Sequence, residues 1–308
     1  MRTIKHRYSR TIKIKTEGST IAFNIIGYMV VFIFALFCLL PFWAILSSSL
    51  SSEKSVLRYG ASLIPREFST SAYEFIFKSP RKIMNAYGVS TMVTVSGTLL
   101  GLFLISMTAY VLYRKDFKYR NAFAFGFYFT QLFSGGLIPF YILVVQYLQL
   151  KNNYLALILP PLMNAWYIIL FRNFLNSVPD SLVESAKIDG AGDFRIYAQI
   201  ILPLSTPGLA TVGLFLALGY WNDWYHALLF INTRDMFPLQ FLLYEVLRSA
   251  EYIAKILSQT GAVISTGNLP TETVKMATAM VVTGPIILLY PIIQKYYVKG
   301  LTIGAVKG

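Results

Sequence analysis

The sequence predicts an all-α, polytopic membrane protein with six transmembrane helices, and three observations carry that prediction. Crossing a hydrocarbon core about 30 Å thick takes ~20 apolar residues of helix. Six windows meet that length, over residues 21–46, 86–113, 122–148, 155–175, 207–231 and 274–298. Apolar residues make up 56% of the 308 and charged residues only 13%, against about 25% in soluble domains. The 27 Lys and Arg against 14 Asp and Glu leave a formal charge of +13, most of it beside the windows and little of it within them. This composition excludes disorder and a collagen-like chain, and the single cysteine, Cys38, excludes an intrachain disulfide framework.

The first 20 residues carry Arg2, Lys5, Arg7, Arg10, Lys13 and Lys15. Lys and Arg close to a span favour the cytoplasmic side, so 1–20 is a cytoplasmic basic tail. Window 21–46 is longer than the ~7–15 apolar residues of a signal peptide and reads as a retained helix. An outer loop, 47–85, leads to the second span, which runs into Arg114, Lys115, Lys118 and Arg120, again inside. In the third span Gly135, Gly136 and Pro139 predict a kink, tolerated where neighbouring helices re-satisfy the backbone. A short outer loop and the fourth span place 176–206 inside. The fifth span is followed by the outer loop 232–273, where Phe237, Phe241, Tyr244, Glu245, Arg248, Glu251 and Tyr252 alternate before Gly261, Gly267 and Pro270. That loop predicts one short amphipathic helix. The sixth span completes a transmembrane domain over 21–298 and leaves 299–308 as a cytoplasmic tail. The basic excess is therefore topological, with attraction to anionic lipid headgroups, and implies no nucleic-acid partner.

Segment 176–206 is polar and internally punctuated. Ser181 and Glu184 have the spacing of a capping box, and Gly190 falls where a helix ends in a left-handed residue. Asp193 is positioned to cap a second short helix through Arg195, Tyr197 and Ile200, which Pro203 and Pro207 separate from the fifth span. The first helix, ~9 residues and ~13 Å long, neither crosses a bilayer nor holds together alone in water. It needs a surface to pack on, which a membrane surface or a docked protein would equally supply.

The residues themselves favour docking. Glu184, Ser185 and Ala186, then Gly190, then Ile200, Leu202 and Pro203 resemble the EAA loop of bacterial ABC importer permeases: E-A-A, three residues, G, nine residues, I-x-L-P. The one departure is Ser185 in place of alanine. The chain's end, including Gly300, Leu301, Thr302, Gly304, Lys307 and Gly308, is similar to the tail of MalG-like, maltose-type sugar permeases, the smaller partner of the permease pair. The long outer insert and tail resemble the subgroup that handles oligosaccharides and polysaccharide fragments.

That resemblance implies a type I ABC importer permease (MetI-like) fold and a transport subunit with no ATPase site of its own. Consistently, no G-x-x-x-x-G-K-[ST] phosphate loop occurs in the chain. It implies four partner classes: a second homologous permease, an ATPase dimer, an extracytoplasmic carbohydrate-binding protein and membrane lipid. The chain itself would bind no cofactor or metal, with ATP and Mg held by the ATPase. Glu184 would anchor the helix in an ATPase cleft, Ala186 and Gly190 would allow close approach, and the C-terminal residues would reach between the ATPase subunits. Outer loop 232–273 would meet the binding protein.

For the solute pathway the fifth span offers Tyr220, Trp221, Asn222, Asp223, Trp224 and Tyr225, with Gln131 and Asn164 as further candidates. Aromatic faces beside amides and carboxylates suit sugars, though an interfacial aromatic belt accounts for the same rings. Asp223 is the sole acidic residue inside a span, and such groups face a cavity, a partner or a pathway. The alternatives are a permease for a non-sugar solute or an ion-coupled transporter, which calls for ionisable residues in several spans. A membrane-embedded enzyme is disfavoured by the lack of paired intramembrane acids, a His cluster or a Cys nucleophile.

Overall fold

The computed structural model describes residues 18–260 and 272–287. The basic N-terminal tail and the C-terminal residues Gly300, Leu301, Thr302, Gly304, Lys307 and Gly308 lie outside the described residues. The described chain is helical, with one isolated β-bridge between Ser51 and Phe68. Its first element, α1 (Gly18–Ser49), is apolar on every side and exposed from residue 20 to 43, as a helix bathed in lipid is, before its end buries Ser47, Ser48 and Ser49. Two short helices follow, α2 (Glu53–Tyr59) and α3 (Ser71–Phe77), and then α4 (Pro80–Tyr113), which starts on proline and is the central strut of the molecule.

The next two spans are broken. Helix α5 (Arg120–Leu132) turns through 112° into α6 (Leu137–Ile142), which continues as a π-helical turn, Leu143–Tyr147. The expected kink is there, with Gly136 at φ 88° supplying a backbone conformation open to glycine. The fourth span is not the continuous helix expected over 155–175. It consists of α7 (Leu155–Ile158) and α8 (Ala165–Leu175), separated at Pro160 and Pro161, where a helix loses its amide donors.

Helices α9 (Asp180–Ile188), α10 (Asp193–Ile196) with a π-helical turn Tyr197–Ile201, and α11 (Leu202–Leu204) form the segment before the fifth span. The stretch Asp193–Leu204 then bends by 82° into α12 (Thr206–Trp221). The fifth span is also broken, between α12 and α13 (Tyr225–Phe230). A 3-10 turn, Arg234–Met236, precedes α14 (Leu239–Thr260), so the amphipathic helix expected in the last outer loop exists and is 22 residues long. Residues 272–287 form a final helix, α15. Among the described residues, α1 and α4 alone are long and apolar enough to cross a membrane unbroken, and two bent pairs raise the number to four.

The core lies where α4, α8 and α12 meet, through Ile105, Ala109, Ile168, Phe171, Val212 and Leu216. Small residues let these helices approach: a Cβ on Gly97 or Gly208 would stand within 3.0 Å of Tyr220 or Phe174. Close backbone approach of this kind is how helices associate in lipid, where burial itself drives little.

A long-range carboxylate cap ties the first third of the chain to α15. Glu53, buried at 7% exposure, accepts hydrogen bonds from the backbone N–H groups of Glu272 and Thr273, each at 2.9 Å, and from the Thr273 hydroxyl at 2.6 Å. These are donors that a helix start leaves without intrahelical partners. Glu53→Gln replaces one acceptor oxygen by an NH2 facing an N–H, and a buried donor left unsatisfied costs ~1–3 kcal/mol. The variant is expected to lower the thermal midpoint of the purified protein by several degrees, and an unchanged midpoint would refute the cap's contribution.

Candidate functional site

The EAA-like residues occupy one helix and the turn that ends it. Pro179, in an extended conformation (φ −63°, ψ 128°), halts the chain ahead of α9, and Asp180 takes the first helical position. An acid there favours the helix dipole. The expected capping box does not form, because the helix starts one residue before Ser181 and makes no side-chain N-cap bond. Asp193 likewise does not cap α10; it is the first helical residue, and its carboxylate turns to Arg114. The C-terminal expectation holds. Gly190 has φ 77°, its N–H donates to the Lys187 carbonyl at 3.0 Å, and the Ala191 N–H donates to the Ala186 carbonyl at 2.9 Å. This is a Schellman closure, which uses up otherwise unpaired carbonyls and reverses the chain tightly toward α10.

Helix α9 is clamped to the end of α4 by a charged network that the sequence reading did not identify. Arg114 pairs with both Asp116 and Asp193, reaching Asp116 Oδ1 through Nε at 2.8 Å. Lys187 Nζ lies 2.8 Å from Asp116 Oδ2, and Lys115 Nζ lies 2.6 Å from Asp180 Oδ2. The Tyr113 hydroxyl donates to Asp180 Oδ1 at 2.7 Å. Two turns back along α4, the buried hydroxyls of Ser106 and Tyr197 share a 2.7 Å hydrogen bond, pinning the π-helical turn to α4. Exposed pairs of this kind contribute little one by one; their joint effect is to fix α9 in one orientation on the bundle.

The orientation sorts the EAA-like residues into two faces. Ala186 is buried and Val183 partly buried against the bundle, whereas Glu184 and Ser185 face outward with Ile188, whose side chain is 87% exposed. Leu182 and Phe194 are exposed beside them, at 42% and 65%. Ile200 and Leu202 are half-buried, and Pro203 is exposed on α11, where the chain turns into α12. The outcome is a rigid knob with a charged residue and apolar side chains on its free side.

The Arg114 guanidinium, followed by the Lys187 ammonium, holds the Asp116 carboxyl well below the usual carboxylate range. A depressed folded-state pKa contributes stability above the unfolded value of ~3.9 and loses it as pH falls through the folded value. The difference in thermal midpoint between wild type and Asp116→Asn is therefore expected to stay constant from about pH 8 to 5.5 and to shrink below about pH 4. A difference that changes near pH 7 would contradict this assignment.

The residues selected in the fifth span separate in space. Tyr220 is buried at 3% exposure, with its hydroxyl donating to the Ile158 carbonyl at 2.8 Å, so it serves packing between α12 and α7. Trp221 packs beside Ala86, Leu239 and Val282. Asn222 is exposed at the break and accepts from Gln240 Nε2 at 3.0 Å. Asp223 caps α13 through the His226 N–H at 3.1 Å and pairs with His226 Nδ1 at 2.6 Å, a partner the sequence reading left unassigned. Trp224 stacks on Tyr244 of α14 at 4.6 Å, with Tyr225 edge-on at 5.9 Å. Gln131 and Asn164, 33 residues apart, are joined by a 2.9 Å hydrogen bond. No group of three or more His, Cys, Asp or Glu side chains suited to a metal ion occurs among the described residues.

Fold and site together define a helical membrane subunit that presents a rigid helix–turn–helix beyond its bundle. The family described as binding-protein-dependent transport system inner membrane component matches residues 97–303, and the chain belongs to it. It is 42% identical over 286 residues to the polygalacturonan/rhamnogalacturonan transport system permease protein YtcP of Bacillus subtilis (strain 168), covering 93% of this chain and 98% of that one. It is 39% identical to protein LplC of the same strain, over 88% of this chain and 90% of LplC. Among solved structures, a chain of a bacterial ABC transporter involved in the import of the acidic polysaccharide alginate superposes with a TM-score of 0.78 at 31% identity, covering 91% of this chain and 98% of that one.

Proposed function

We propose that this chain is a six-span permease subunit of an ATP-binding-cassette importer in the bacterial cytoplasmic membrane, and that it takes up oligosaccharides cut from acidic polysaccharides. The observation that carries the proposal is the clamped α9 knob, with EAA spacing and with Glu184, Ser185 and Ile188 on its free face. A separate ATPase, loaded with ATP and Mg, docks on that knob from the cytoplasm, with Glu184 meeting a cationic side chain in a charge-assisted contact. A second homologous permease completes the transmembrane pair, and an extracytoplasmic binding protein delivers the sugar near α14. Both chain termini lie in the cytoplasm, and the residues from 299 onward reach toward the ATPase. The substrate class is taken from the relative named for polygalacturonan and rhamnogalacturonan and from the alginate importer.

Reconstitution tests this reading. The chain, co-expressed with its genomic neighbours and purified by its own tag, is expected to bring an ATPase, a second permease and, with sugar, a binding protein. Proteoliposomes holding the complex should accumulate oligogalacturonides only with internal ATP and Mg. The Asp223–His226 pair within the fifth span supports one rival, ion-coupled transport. Uptake that persists without ATP and follows an imposed proton gradient would decide for it.

A further inference from the structure

The geometry points to a hydroxyl-binding dyad, Gln131 with Asn164, that contacts the neutral face of a sugar ring midway across the membrane; this rests on the carbohydrate-importer reading above. Gln131 lies eleven residues from the start of α5 at Arg120, and Asn164 eleven residues from the end of α8 at Leu175. At 1.5 Å per residue both sit about 16 Å from the α9 end of the bundle, near the middle of a ~30 Å core. Both are exposed on the surface of this chain. Amides at that depth do not face lipid, where unpaired polar groups cost several kcal/mol.

Hydrogen bonding fixes which atoms face outward. The Trp166 backbone N–H can only donate, and it donates at 2.8 Å to the Asn164 side chain, so the atom it meets is Oδ1. The same oxygen accepts from Gln131 at 2.9 Å, so the Gln131 atom involved is Nε2. Asn164 Nδ2 and Gln131 Oε1 are thereby left as one donor and one acceptor on two hydrogen-bonded side chains, with no hydrogen bond to either atom among the described residues. Neighbouring hydroxyls on a sugar ring each donate one hydrogen and accept another, which is the complement of such a pair. Trp166, 51% exposed and propped edge-on by Tyr167 and Phe215, adds an aromatic surface beside it.

The site is neutral. No Lys, Arg, His, Asp or Glu occurs between Arg120 and Lys151 or between Lys151 and Arg172. The dyad therefore suits hydroxyls and offers no cationic charge to pair with a uronate carboxylate. It also joins the two broken spans at their weakest point, since Gln131 ends α5 one residue before its break and Asn164 starts α8 just after the break in span four. A ligand bridging the two amides would hold both broken spans in one arrangement.

The test uses the whole reconstituted complex and two probes, radiolabelled trigalacturonate and neutral galactotriose. Gln131→Leu is expected to raise the uptake KM for either probe about three- to tenfold, the effect of losing one or two hydrogen bonds. Gln131→Glu, nearly isosteric, is expected to discriminate further, depressing trigalacturonate uptake more than galactotriose uptake by placing a carboxylate against an anionic sugar. In Gln131→Glu a purely structural role would move both probes equally, and that result overturns the dyad. Loss of the second permease from the purified Gln131→Leu complex would make the pair a subunit contact and also overturn it. Wild-type uptake with an unchanged Gln131→Leu KM refutes the dyad alone; wild-type complex that takes up neither probe refutes the importer reading and the dyad with it.

Discussion

Ile188→Lys should strip the ATPase from the purified complex while leaving the permease folded. Ile188 is the last residue of α9, and its side chain is 87% exposed on the free face of the knob. A β-branched apolar residue so placed packs little against its own bundle, and under the proposed docking it would be buried against the ATPase. Lysine suits the helix at least as well as isoleucine and sits favourably at a helix C-terminus, so the substitution spares α9 itself. At the interface it does the opposite, forcing an unpaired ammonium into an apolar contact. Disruption at a central contact costs upward of 2 kcal/mol, or roughly 30-fold in affinity. Co-purification and gel-filtration stoichiometry read the result directly. Ile188→Leu, which keeps the apolar contact, should retain the ATPase, and a complex of normal stoichiometry in Ile188→Lys would remove α9 as the docking element.

The knob was legible in the sequence because its signals are local: a proline ahead of the helix, E-S-A at fixed spacing from Gly190, and a short polar stretch between apolar windows. Its clamp was not. Asp116 meets Lys187 across 71 residues and Asp180 meets Lys115 across 65, so the charges of the 114–120 loop carry a second role that sidedness alone conceals. The broken spans show a similar limit. A window of mean apolarity absorbs Pro160 and Pro161, although their missing amides end a helix wherever they stand. The break after Trp221 has no proline or glycine at all. There Asp223 bonds His226 three residues on, a local Asp-x-x-His spacing the sequence reading passed over, and Asn222 accepts from Gln240, a partner that becomes visible only once α14 has folded back.

These pieces form a single mechanical line. The knob leads through the π-helical turn and an 82° bend into α12, which ends at the break bearing Asn222. Beyond it, α13 and the start of α14 are fastened by Asp223–His226 and by Trp224 stacked on Tyr244. Displacement of α9 against the bundle strains the Lys187–Asp116 and Asp180–Lys115 pairs first, and passes toward α12 through the π-helical turn that the Ser106–Tyr197 hydrogen bond holds to α4. The rod's far end is held by Tyr220, whose ring lies against Gly97 and whose hydroxyl donates to the Ile158 carbonyl, and by Trp221 beside Ala86, Leu239 and Val282.

Gly97→Ala should accordingly be among the most damaging single-methyl changes in the protein. The added Cβ would fall within 3.0 Å of three ring atoms of Tyr220. The ring has nowhere to retreat, since it is 97% buried by the complement of its 3% exposure and its hydroxyl is bound to the Ile158 carbonyl at 2.8 Å. Overpacking of a core costs ~1–3 kcal/mol, and breaking the Tyr220 hydrogen bond to escape the clash adds ~1–3 kcal/mol for the buried hydroxyl left unpaired. At about 2–4 °C per kcal/mol, the thermal midpoint should fall by roughly 5–25 °C. Tyr220→Leu alone should also destabilise, through lost volume. Combined with Gly97→Ala, it removes the ring that the new methyl strikes, so the double variant should lose less than the two single losses together. Strict additivity would mean that the α4–α12 contact at Gly97 is loose, and α12 could then not act as a rigid rod between the knob and the span break.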